Sequence, residues 1–559
     1  MPQEQASAGG TLLAHYQVPL LDGADVFMAF KTGDYSNPFN SQVWHEKRLK
    51  WEDGKLVTKW DFTTDWKPEP IDYVGGWEPV FHAVLANGDV YVPGAGGTLF
   101  RVNRDNGSTI VRINPFSNID PNTFVAGPPT AGDDGNLYYN VIKLDPTQTD
   151  PFTGVATTVG SWLVKVTKGN VTSFVSYSTL IPDTPVTCIG RFPNSMLPWP
   201  PSPNAVPTTT FPCGIARAGV NVAPAIAPDG TVYTVGRVDN SPRYGWVIAV
   251  HADLTRKWDT SMRNLFNDGC GVLIPIQSVS GVPEKGKCNF GAHVGVDPTT
   301  NRPGDGNVLD QSSSSPTVLP DGNVLYGSYT RYNIARGHLI KFNGATGAVM
   351  SSFDFGWDTT PAVHSDEDSY SIIIKDNHYD EEAGFYCNPS GDAVSDLVCG
   401  STGIPAGPFY ITQLDAHLVP EWKFHSTETK SCTRQPNGTL TCVSDHPNGF
   451  EWCINAPAID GEHRVYVESE DGNAYVIPPG HKGVFDMNTP GVKRLFLQLA
   501  LGAAYTPLSI GSDGKIYTQN AGHLFVLGEG GKQPDDHPAT GNHEGNFPRG
   551  NDKDDRGDK

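Results

Sequence analysis

The nine cysteines, at 188, 213, 270, 288, 387, 399, 432, 442 and 453, are the residues whose spacing speaks most directly to chemistry. Zinc ligation is disfavoured, because no Cys-x2-Cys pair or neighbouring His set has the ligand spacing. The first eight fall into sequence-adjacent pairs. Such spacing suits local disulfides, Cys188–Cys213, Cys270–Cys288, Cys387–Cys399 and Cys432–Cys442. Disulfides persist where the surroundings are oxidising, so the pairs predict an extracytoplasmic protein, whether secreted, periplasmic or on the cell surface. Cys453 is left over as a buried thiol.

A second group is acidic. The run Asp366-Glu367-Asp368 is followed by Asp376, Asn377, Asp380, Glu381 and Glu382. Asp366, Asp368, Asp376 and Asp380 are candidate oxygen ligands for calcium, although the regular EF-hand spacing is missing and a solvated acidic loop is the competing reading. Familiar catalytic signatures do not occur. His45-Glu46 is not followed by a His at the metalloprotease spacing, and there is no Gly-x-Ser-x-Gly, phosphate loop or Cys-x-x-Cys-His heme site.

The elements that must carry these residues show themselves as repeats. A Pro leads into an apolar strand, an Asp-Gly turn follows, and the next strand carries Tyr: Pro224 to Tyr233, Pro316 to Tyr326, Pro507 to Tyr517, with looser copies from Pro79, Pro129 and Pro457. Asp-Gly and Asn-Gly between β-rich runs signal tight hairpins, since both residues accept the positive φ required there. A second phrase, Gly97 to Gly107 and Gly337 to Gly347, is strand, polar turn, Gly; a third is a strand ending in Trp60, Trp258 or Trp422. Together they describe a four-stranded antiparallel blade. Leading prolines at 79, 129, 224, 316, 361, 457 and 507, with an N-terminal unit from about Tyr16 to Phe62, give eight blades. Seven is the alternative if the poorly matched sixth unit is miscounted. The LLAHYQV stretch is expected to complete the last blade and so close the ring.

Composition agrees. The 559 residues include 61 Gly and 46 Pro, about a fifth of the chain, the usage of many short strands joined by turns. Aromatics at 10% and charged residues at 18% oppose disorder. A net charge of −21 argues against nucleic acid as a partner. The longest nearly apolar run, Leu495 to Tyr505, has 11 residues and is too short for a transmembrane helix. The opening MPQEQASAGG lacks the features of a signal peptide, which leaves the compartment to the cysteines. The expected organisation is a flexible 1–10, a single propeller over 11–530, and a disordered charged tail over 531–559.

The leading Pro, Asp-Gly-x-x-Tyr, Gly-x-Leu-x-x-x-Asn and blade-closing Trp resemble the pyrroloquinoline-quinone-type propeller repeat over most of residues 16 to 528. That family includes quinoprotein alcohol and glucose dehydrogenases and the cofactor-free propeller lipoprotein of outer-membrane barrel assembly. The dehydrogenases commonly carry an adjacent Cys-Cys pair over the cofactor. No two cysteines are adjacent here, which brings this chain nearer the cofactor-free members.

Polar and aromatic residues at the starts of innermost strands are expected to face the central channel: Trp77, Glu78, His82, Arg217, Asp310, Asp358, Trp452, Asn455 and Tyr505. They are the candidate ligand-binding residues; the competing reading is that they satisfy one another or water. Alternation of strand direction puts the fourth-to-first and second-to-third connections on one face, and all four cysteine pairs fall in such connections. The fold expected is therefore all-β, an eight-bladed propeller with disulfide-stapled insertions on one face. The function expected is binding or scaffolding, with a small-molecule or protein ligand held under those loops and no cofactor. The alternative is an oxidoreductase using pyrroloquinoline quinone with calcium, or another metal, in the channel.

Overall fold

The computed structural model describes residues 12–528 except 14–16, 34–38, 70–78, 150–155, 197–199, 203, 268–295, 298, 311, 313, 331–335, 357–358, 366–368, 378–407, 453–455 and 503–506. The segments 1–10 and 531–559, expected to be flexible and disordered, lie outside the described residues.

Eight antiparallel sheets follow one another along the chain as blades I to VIII. Blade I has second, third and fourth strands at Asp25–Thr32, Val43–Glu52 and Lys55–Thr64, and blade II runs from Val84–Ala86 to Thr109–Ile113. Blades III, IV and V end on Thr172–Ser176, Arg256–Ser261 and Val349–Gly356. Blade VI ends on Pro420–His425, blade VII on Lys493–Phe496 and blade VIII on His523–Leu527. Second strands are sandwiched between neighbouring blades, so both of their faces are buried, as throughout Val232–Val238. This explains why they read as continuous apolar runs rather than as alternation.

The three sequence phrases have distinct mechanical roles. In the Asp-Gly turns the aspartate accepts from the backbone two residues on: Asp229 from Thr231 at 2.8 Å and Asp321 from Asn323 at 3.0 Å. The glycine of the turn takes the left-handed conformation, with φ +81° at Gly230. The blade-closing Trp of one blade docks on the Gly turn of the next. Trp60 Nε1 donates to Arg104 O at 2.7 Å and Trp258 Nε1 to Gly344 O at 3.0 Å. A Cβ at Gly347 would stand 2.6 Å from Trp258, so only glycine admits the indole. In blade VII the turn is replaced by the strand Gly483–Asp486, which pairs in parallel with Pro420–His425 and sets Phe485 against Trp422.

Two expectations change, the strand that completes the last blade and the way the ring closes. The LLAHYQV stretch does not complete the last blade: Leu12–Leu13 pairs with Phe30 and Lys31 of blade I. Blade VIII has three strands among the described residues. The reason is visible in blades III, IV and V, where the innermost strand also comes in two pieces. Ala216–Ala218 and Ala225–Ile226, for example, both pair with Val232–Val238. Blade I needs the same upstream piece, and Leu12–Leu13 supplies it. The ring closes through side chains instead, by an apolar cluster of Val26, Leu49 and Tyr517 and by Trp51 Nε1 donating to Tyr517 Oη at 2.6 Å. In blade III the second and third strands, Leu137–Thr149 and Ala156–Val166, run on as a long hairpin whose pairing extends to Thr149 and Ala156.

Candidate ligand site at the channel mouth

The two stapled connections among the described residues lie on one face. Cys188–Cys213 lies between blades III and IV and Cys432–Cys442 between blades VI and VII, and both disulfides are formed. Both are fourth-to-first connections and therefore share that face. Cys270, Cys288, Cys387 and Cys399 lie outside the described residues, as does Cys453.

The insertions brace one another. Phe192 N donates to Thr299 O at 2.9 Å, and Asn301 Nδ2 to Ala205 O at 2.9 Å, which ties the III–IV insertion to the IV–V insertion. The second of these is anchored by Asp305, which accepts from Arg243 Nε, Arg263 Nη1 and Asn264 N at 2.8–2.9 Å. The hairpin Lys430–Arg434/Leu440–Ser444 leans on the VII–VIII connection, with Arg434 N donating to Gln498 O and Ala500 N to Cys432 O, both at 2.9 Å. Loops held in this way keep one shape without a core of their own.

A charge cluster joins blades IV and V. Arg217 and Arg237 sit opposite one another in register on the first and second strands of blade IV. Arg217 grips Asp310, at the start of blade V, with two bonds of 2.9 and 2.7 Å. It also donates to Asp239 at 2.8 Å and to Ala218 O at 3.1 Å. Arg237 adds a 3.1 Å bond to Asp310. Burial pushes the Asp310 carboxyl upward, but Arg217 and Arg237 outweigh it and bring the carboxyl down to about 2. Burial opposes the Arg217 charge in the same way, and Asp310 and Asp239 reverse that, holding the guanidinium charged.

Asn221 is the residue the sequence did not reveal. It adopts φ +66°, which Asn tolerates better than most residues, at the break between the two inner-strand pieces. Its Oδ1 accepts from Val80 N at 3.1 Å, its Nδ2 donates to Asp310 O at 2.9 Å, and its own N–H donates to Ala126 O at 2.6 Å. One residue, through its side chain and its backbone N–H, thus links the segment leading into blade II with blades III, IV and V.

The remaining expected site residues divide. His82 is held by its neighbours, with Nδ1 against Ala83 O at 2.5 Å and Nε2 accepting from Val18 N at 3.3 Å. Trp452 is fully buried in the apolar packing with Phe424 and Tyr475, and its backbone bonds Asn377 in both directions. Trp77, Glu78, Asp358, Asn455 and Tyr505 lie outside the described residues. Of the calcium candidates, Asp366, Asp368 and Asp380 also lie outside them. Asp376 is buried, and its Oδ2 accepts from Lys423 Nζ and Thr412 Oγ1, both at 2.7 Å, the setting of an ion pair.

Pyrroloquinoline quinone carries three carboxylates, so a cradle for it needs available cationic or N–H donors. The donors of Arg217 go to Asp239, Asp310 and a backbone carbonyl, and Arg237 bonds Asp310 and the carbonyls of Val238, Val308 and Asp239. These two arginines do not fit that role, and no chemical step is derived through the quinone.

No family model and no curated protein matches this chain. Among solved structures it is similar to a europium-containing methanol dehydrogenase, with 12% identity, 90% of this chain and 82% of the other covered, and a TM-score of 0.42. It is similar to BamB from Moraxella catarrhalis at 12% identity, covering 92% and 97%, with a TM-score of 0.38. It is also similar to the quinohemoprotein alcohol dehydrogenase of Comamonas testosteroni at 11% identity, covering 91% and 70%, with a TM-score of 0.44. No activity is inferred from likenesses at this level.

Proposed function

We propose that this chain, an eight-bladed propeller of pyrroloquinoline-quinone-like repeats, is an extracytoplasmic binding or scaffold protein. Its ligand, a small molecule or a protein segment, sits at the channel mouth under the stapled insertions. The observation that supports the reading is the stitching of the III–IV and IV–V insertions at Phe192–Thr299 and Asn301–Ala205, which gives the connections into blades IV and V a fixed shape. Prefixing long loops above a channel lowers the ordering cost of binding. Two formed disulfides support an oxidising compartment, and no helix among the described residues is long and apolar enough to cross a membrane.

The competing class is a quinone- or metal-dependent oxidoreductase. Soaking the purified protein with pyrroloquinoline quinone and calcium, then recording the absorption spectrum and dye-linked dehydrogenase activity, separates the two. A binding protein gives neither stoichiometric uptake nor turnover; stoichiometric uptake with dye reduction overturns the proposal.

A further inference from the structure

We infer that Gln17 and Glu46 form a proton-dependent clasp, a neutral carboxylic acid paired head-to-tail with a primary amide, which holds the innermost segment of blade I in the ring and loosens when the proton leaves. Both side chains are fully buried. Gln17 Nε2 donates to Glu46 Oε1 at 3.1 Å. The other two oxygens, Gln17 Oε1 and Glu46 Oε2, are buried with no donor. A single proton resolves both. Placed on Glu46 Oε2, it turns that oxygen into a donor to Gln17 Oε1 and closes an eight-membered acid–amide ring. With the carboxylate ionised, two buried acceptors stay unsatisfied, and a buried charge has no ion-pair partner among the described residues.

The surroundings favour the neutral form. The cross-strand neighbours of Glu46 on its own face are Ala29 and Phe62. The charged groups on that face are Lys31, diagonal on the second strand, Arg48, two residues along the third strand and bonded to Asp25 and Asp105, and the more distant cross-strand pair Asp25 and Lys50. From blade II the titratable neighbour is His82, bonded to the residue after Gln17. Among the described residues Gln17 is the hydrogen-bond partner of Glu46, and none forms an ion pair with it. Burial pushes the Glu46 carboxyl up to about 8, with the Gln17 bond working the other way.

The clasp sits where the ring closes. Gln17 bonds the third strand of blade I, Val18 N donates to His82 of blade II, and Pro19 O accepts from Ser509 Oγ of blade VIII at 2.6 Å. Three successive residues thus join three blades. The His82 link requires a neutral imidazole with a free Nε2 lone pair, and burial lowers its pKa accordingly. The closure therefore has an acid limit at His82 and an alkaline limit at Glu46.

Glu46→Gln is the discriminating variant. Its amide offers an N–H to Gln17 Oε1 and an oxygen to Gln17 Nε2, so the pair persists without a proton. Amide hydrogen exchange is followed in a peptide spanning 17–22 from pH 6 to 10, with intrinsic rates divided out. In the unaltered protein, protection is expected to fall about tenfold per pH unit once Glu46 titrates, while Glu46→Gln stays flat. Infrared difference spectra at pH 7 should show a carboxylic-acid carbonyl in the unaltered protein that Glu46→Gln lacks. Identical pH profiles for the two proteins, or the absence of that band, would overturn the clasp.

Discussion

Asp310→Asn tests whether the Arg217–Asp310–Arg237 cluster is a lock between blades IV and V. The substitution keeps the shape and one acceptor oxygen but removes the charge that Arg217 grips with two bonds and Arg237 with a third. Burial opposes the Asp310 charge; the two arginines overcome it and hold the carboxyl at about 2. Relative to an ordinary aspartate, that displacement is worth about 2 kcal/mol. Leaving buried guanidinium charge only partly compensated adds to this, and breaking a buried pair costs about 3–5 kcal/mol. Because Asn retains an acceptor, the loss expected is about 3 kcal/mol, at the lower end. Urea unfolding followed by tryptophan fluorescence at pH 7 reads it as a lowered midpoint at unchanged slope. The pH dependence gives an independent check. A carboxyl whose pKa falls on folding stabilises above its unfolded pKa, and that contribution disappears as pH drops through the folded value. The gap between the unaltered protein and Asp310→Asn should therefore be full at pH 5 and close between about pH 4 and 2. A midpoint within about 1 kcal/mol of the unaltered protein at pH 7, or a gap independent of pH, would refute the lock.

Further outcomes follow from the same contacts. Gly347→Ala forces a methyl to 2.6 Å from Trp258 at a φ of +74° and should lower the melting temperature by several degrees in a thermal scan, whereas Trp258→Phe, which loses the 3.0 Å bond to Gly344, should cost about 1–3 kcal/mol. Cys432→Ser with Cys442→Ser opens a 10-residue loop and should weaken the hairpin by about 3 kcal/mol, read as faster hydrogen exchange over 430–444 with the propeller core unchanged. At Asn221, both Ala and Gly remove the bonds to Val80 and Asp310, but only Ala adds strain at φ +66°, so the Ala variant should be the less stable in urea.

Much of the architecture was legible because local chemistry repeats. An Asp-Gly turn such as Asp229-Gly230 and a Trp paired with a distant Gly, as in Trp258 and Gly347, are each fixed by a local steric or hydrogen-bonding need, so each leaves a mark at every occurrence. The two-piece inner strands were not legible. Pieces of two or three residues such as Ala216–Ala218 carry no periodicity, and left-handed backbone at Asn221 between them interrupts any strand pattern. For that reason Leu12–Leu13 was expected in blade VIII rather than blade I. Arg217 and Asp310 were both singled out in the sequence, but their mutual bidentate bond was not, since 93 residues separate them. Arg237 and Asp239 were missed because a strand's polar end gives no sign of which register partner it will meet. Glu46 lay in plain view beside His45, but only burial beside Gln17 shows its character.

The central claim, a roof of stapled insertions on one face of a propeller that works in an oxidising compartment, is tested most directly by peptide mapping under non-reducing conditions after thiols have been trapped at lysis. The account predicts disulfide-linked peptides for 188–213 and 432–442, as found in the structure, and also for 270–288 and 387–399, with Cys453 alone alkylated. Alkylated thiols at most of the eight positions would contradict it, removing both the compartment and the rigid roof from the proposed function.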